Sequence, residues 1–142
     1  MKKFAWVLLA ICALGIFAVG CSGDETGLLD LTAMSETLRS AEMTRITSNP
    51  ERYMGRPIKV RGAYDAMFFD EAEKYLHVVI ITEGDGCCPP EGFEFRWGED
   101  NVFPDGMPNS GSTIEMVGVL GRHNDLGSTL YYLAVDDVAV LD

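Results

Sequence analysis

Cys87 and Cys88, adjacent in the chain, form the most distinctive chemical pair among these 142 residues. A disulfide between neighbours closes a strained ring, so the pair suits a reducible redox couple better than a structural bridge. Metal binding needs both sulfurs on one side. A regular strand forbids that, because successive side chains point to opposite faces, but a corner framed by Gly84, Gly86, Pro89 and Pro90 permits it. With His77 and His123 the cysteines would complete a Cys2His2 set for zinc, although no CxxC or HxxxH spacing accompanies them. The third reading is packing, in which the thiols are small apolar groups at a stiff corner. Packing, metal and redox chemistry all stay open on the sequence.

A second constellation is Phe93, Phe95 and Trp97, which alternate with Glu94 and Arg96. In a strand the three aromatics share one face. That face is either core, where aromatics bury the most area, or an exposed platform on which a ligand stacks. Nucleic acid is excluded as the ligand by charge. The formal net charge is −11, and Lys59, Arg61 and Arg96 are outnumbered by nearby carboxylates, so no basic path meets a phosphate backbone. Asp70, Glu71, Glu73, Glu83, Asp85, Glu91, Glu99, Asp100 and Asp105 gather between strands and read as solvating surface, without the alternate-residue oxygen spacing of a calcium loop. The methionines are scattered and read as gap-filling rather than copper ligands. No GxSxG, HExxH or phosphate loop is present, so the expectation is a protein that is not an enzyme and needs no cofactor, with zinc as the one metal to test.

These residues must be positioned by a mainly β domain. Ser35 to Tyr53 carries Leu38, Met43 and Ile46 at helical spacing, and Pro50 limits the helix. Five strands follow: residues 57–62, an apolar run 75–82 that reads as central and buried on both faces, 93–97, 113–121 and 129–141. A polar turn around Asp70 to Lys74 joins the first two. Glycines at strand ends favour a small closed five-stranded OB-like barrel preceded by the helix.

Lys2 and Lys3 precede an uncharged apolar run that ends at Ala18-Val19-Gly20-Cys21, which resembles a bacterial lipobox. This implies a signal peptide over residues 1–20, lipid on Cys21, a polar tether over 21–34 and a barrel domain over 35–142. The expected location is the outer face of a bacterial envelope membrane, held by the lipid anchor. The segment Asn49-Pro50-Glu51-Arg52-Tyr53-Met54-Gly55-Arg56-Pro57-Ile58-Lys59-Val60-Arg61-Gly62 resembles the helix-to-strand entry of OB-fold domains in exported bacterial proteins. Gly84 to Trp97 is similar to the vicinal-cysteine segment of uncharacterised bacterial lipoproteins and of the outer domain of a permease-associated family. The resemblance implies fold and brings no established catalytic residues. The expected role is a non-catalytic binding or accessory module whose partner is an envelope protein or a small ligand. The alternative is a metal or redox protein acting through Cys87 and Cys88.

Overall fold

The computed structural model describes residues 27–70, 73–84, 89–98, 103–125 and 127–141. Cys21, Cys87 and Cys88 lie outside them. The elements run β1 (Leu29–Asp30), a 3-10 turn (Leu31–Ala33), α1 (Glu36–Ser48), a second 3-10 turn (Pro50–Tyr53), β2 (Pro57–Phe69), β3 (Lys74–Thr82), β4 (Glu91–Trp97), β5 (Thr113–Asp125) and β6 (Ser128–Val140).

They form one six-stranded mixed sheet in the order β1-β2-β3-β4-β6-β5, and a β2–β5 pairing brings its two sides together. Strands β2, β3, β4, β6 and β5 thus make a near-closed ring, with β1 lying parallel to β2 outside it. β5 and β6 form an antiparallel hairpin, and β6 then lies parallel to β4. The ring closes because β2 changes neighbours midway. Pro57–Ala63 pairs with β5 and Ala63–Phe69 with β3. At that transition Gly62 leaves room for the backbone carbonyl of Ile80, which any added Cβ would strike.

Alternation within each strand builds the core. Ile58, Val60 and Tyr64 of β2 meet Val79 and Ile81 of β3, Phe93 and Phe95 of β4, Ile114, Met116 and Leu120 of β5, and Leu133, Val135 and Val138 of β6. The register shift between Met116 and Gly118 leaves both Asp136 and Asp137 exposed between buried Val135 and Val138. Helix α1 adds Met43 and Ile46 and is tied near the start of β4 by Ser40, whose hydroxyl donates to Glu91 at 3.3 Å. Tyr53 donates to Glu42 at 2.8 Å and joins the helix to the turn that follows it.

Several expectations need correction. The helix stops at Ser48, because Pro50 disfavours helical geometry at Asn49 and starts a separate 3-10 turn. Leu38 is 62% exposed and contributes nothing to the core. The predicted tether reached to residue 34, yet Leu29 pairs with Ile58, Leu31 is buried, and Asp30 accepts from the amides of Thr32 and Ala33. The folded unit therefore begins before Ser35. The first strand reaches Phe69 rather than ending at Gly62. β3 is central, flanked by β2 and β4, but it is buried on one face only, with Tyr75 44% exposed on its protruding end.

Candidate functional site

The ring is not evenly closed. β3 pairs with β2 as far as Lys74, but with β4 only over Val78–Thr82 opposite Glu91–Glu94. On its other edge β4 stays paired to its end, Glu94 to Trp97 lying against Tyr132 to Val135 of β6. Beyond Val78 and Glu94, β3 and β4 part company, leaving a seam between Lys74–His77 on one side and Phe95–Trp97 on the other. A cleft of about 390 Å³ occupies it, lined by Lys74, Tyr75, His77, Arg96, Trp97 and Met107 among others.

Its floor is aromatic. His77 lies parallel to Tyr64 at 6.0 Å between centroids and 6.2 Å from the Phe95 ring. Phe103 reaches back from the loop after β4 to Tyr75 at 4.3 Å and to His77 at 6.0 Å, and Phe68 contacts Tyr75 at 5.1 Å. The register explains the row: Phe68 faces Tyr75 and Ala66 faces His77 across the β2–β3 hairpin, with Tyr64 on the same side. At Gly98 a positive φ of 57° ends β4.

His77 is half-buried, and its Nδ1 lies 2.9 Å from the hydroxyl of buried Tyr64. Burial lowers the His77 pKa from its usual value, an effect the nearby Glu94 carboxylate partly opposes. Burial, with Asp65 adding to it, raises that of Tyr64. The pair is neutral near pH 7 and shares one hydrogen bond, while His77 Nε2 makes none among the described residues. Because the folded pKa is depressed, the unfolded chain takes up a proton first. Stability is therefore complete above about pH 6.5 and falls as pH drops below it. We expect urea midpoints to decline between pH 7.5 and 5.5, and to decline less for His77→Gln. An equal decline in both proteins would assign the effect elsewhere.

The outer rim is polar. Arg96 approaches Glu94 at 3.4 Å, lies 4.1 Å over the Tyr132 ring, and has a guanidinium nitrogen 2.9 Å from His123 Nδ1. The same nitrogen lies 3.0 Å from His123 Nε2. A second groove, of about 430 Å³, crosses the outer face of β5 and β6, where Lys59 is paired with Glu115 at 3.0 Å. It lacks an aromatic floor, and β5–β6 pairing continues along it apart from the register shift at the two aspartates.

The sequence-predicted residues separate accordingly. Phe93 is 6% and Phe95 1% exposed, so their shared face is the core face and not an exposed platform; Trp97 is half-buried and borders the cleft. His77 faces the aromatic floor and His123 the outer rim, and they share no contact. Among the described residues no cluster of three His, Cys, Asp or Glu side chains can hold a metal ion. The predicted Cys21 lipidation site and the Cys87 and Cys88 ligands fall outside the described residues. Reading the sequence missed Tyr64, Tyr75, Phe103 and Met107. The signal for the first was present, because Ile58, Val60, Gly62, Tyr64, Ala66 and Phe68 continue one alternation past the glycine.

The cleft can stack a flat group, cover an apolar one and offer one imidazole nitrogen. No protein-family model matches this chain, and no curated protein does.

Proposed function

We propose that this chain is a lipid-anchored, extracytoplasmic binding module of the bacterial envelope, non-catalytic, whose ring is an OB-like barrel and whose ligand or protein partner enters the β3–β4 seam. The observation that carries the reading is the cleft itself. Two neighbouring ring strands lose their pairing over an aromatic floor, and a hydrogen-bonding imidazole stands there. The barrel reading is supported by the closure order β2-β3-β4-β6-β5 with a parallel β4–β6 pair. The anchor rests on the Ala18-Val19-Gly20-Cys21 junction. Among the described residues no helix is long and apolar enough to cross a membrane. Acyl chains on Cys21 would each add about 0.8 kcal/mol per buried methylene, enough in combination for stable attachment.

Two measurements test this. Cys21→Ala is expected to accumulate full-length precursor without lipid label; normal processing would remove the anchor. For the site, a photoreactive amino acid is placed at Tyr75 or Arg96, which border the cleft, or at Val117, 46% exposed on the outer face of β5. Irradiated cells are expected to yield adducts from the first two positions and none from the third. Adducts from Val117 alone would move the site to the other groove.

A further inference from the structure

We propose that the tether side of the ring rests on an anionic phospholipid bilayer, so that the seam opens away from the membrane and takes its occupant from the aqueous phase. This rests on the reading of Cys21 as the lipid anchor and deepens it to an orientation. The way the N-terminal segment is held supports it. Arg56 donates from Nε to the carbonyl of Gly27 at 3.0 Å, and Arg39 donates to those of Leu31 and Met34 at 3.2 and 3.1 Å. The chain is therefore bound to the domain from Gly27 onward, and Gly27 is the sixth residue after Cys21. Six residues reach at most about 22 Å when fully extended. The β2–β3 hairpin is at the other end of the ring. Leu29 lies beside Ile58 at the start of β2, and Phe69 at its end is about 36 Å further along the strand.

Charge and apolar surface favour the same side. Residues 27–56, which make the tether exit, α1 and the turn after it, carry four arginines and four carboxylates. Arg122, bonded to Glu51, and Glu83 and Glu91, near Thr82 and Ser40, leave that side within about one charge of neutral. Residues 67–74 and 98–107, the hairpin and the loop that returns Phe103 to it, carry one cation and six carboxylates. An anionic surface repels the second group far more than the first. Leu28 and Leu38 are exposed on the tether side, and Leu38 adjoins the Arg39 that grips Leu31 and Met34. They offer the bilayer an apolar contact. The rival contact is Met67 and Phe68, exposed on the hairpin, but exposed Asp70 and Glu73 follow them closely. Tyr75 and His77 come directly after the hairpin, so the cleft they line stands on the side away from the membrane.

The test uses the full chain, lipidated in cells and reconstituted on vesicles of phosphatidylethanolamine and phosphatidylglycerol doped with dansyl-phosphatidylethanolamine. Trp6→Phe and Trp97→Phe remove both tryptophans, and a single one is restored by Leu38→Trp or by Phe68→Trp, each at an exposed position outside the core. Energy transfer to the dansyl headgroups falls steeply with distance. It is expected to be several-fold stronger from position 38 than from position 68. On phosphatidylcholine the ratio is expected to narrow, because the repulsion of the hairpin is lost. An unchanged ratio there would overturn the part assigned to charge. Stronger transfer from position 68, or equal transfer from both, would overturn the orientation and leave the anchor in place. A chain that takes up no lipid label and does not float with the vesicles would remove the anchor and the orientation together.

Discussion

Phe95→Ala is expected to lose about 4 kcal/mol of folding stability, within the usual range of about 3–5 kcal/mol for emptying a core aromatic. Phe95 is 1% exposed, stands edge-on to Tyr64 at 6.0 Å, and is in register with fully buried Leu133. Its neighbours are held by paired strands on the β6 side and cannot collapse into the space. For a domain of this size the loss is a large share of a total that is commonly about 5–15 kcal/mol. Denaturant midpoints of the wild type and the variant give the answer. A loss below about 1 kcal/mol would mean that the ring is exposed, as a stacking platform would be, and that the packing described above is wrong.

Gly62→Val is expected to cost about 3 kcal/mol, the upper part of the usual range for overpacking. The obstacle at this position is the Ile80 main chain, with Val79 Cγ2 a further 3.1 Å contact. A flexible side chain could swing aside, but a backbone carbonyl can move only if β2 and β3 separate. Gly62 sits where β2 passes from β5 to β3, so separation there opens the ring rather than loosening one edge. Gly55, whose φ is 75° and around which an added Cβ meets nothing within 4 Å, supplies the comparison. Gly55→Ala should cost only backbone strain, of order 1 kcal/mol. Thermal melts of the two variants are predicted to rank Gly62→Val well below Gly55→Ala; the reverse order would contradict the closure.

The strands were legible because a half-buried strand writes its burial as alternation. Phe93-Glu94-Phe95-Arg96-Trp97 and Ile58-Lys59-Val60 place the correct residues inside. The end of β2 was harder to see, since Gly62 and Asp65 resemble punctuation when they are in fact the bend and an outward polar residue of one long strand. β1 was hidden for another reason. Two residues carry no period, and Leu29 is recognisable as core only once Ile58 is seen beside it. The helix announced itself weakly because only Met43 and Ile46 are buried, too few for a clear stripe. The site was least legible. An aromatic at 97 and a histidine at 77 look unrelated in sequence, and they border one cleft only because the β3–β4 register stops at Val78 and Glu94, which is a property of the whole ring.

The end of that register is measured directly by amide hydrogen exchange along β3 in the free protein. Val78 faces β2 and Val79 faces β4, and both are paired. Tyr75 and His77 lie beyond the last β3–β4 pair, Val78 with Glu94. The expected result is exchange at Tyr75 and His77 about a hundredfold faster than at Val78 and Val79, within one strand. Protection of Tyr75 and His77 equal to that of Val79 would mean that β4 stays beside β3 along its full length, and that there is no seam for a ligand to enter.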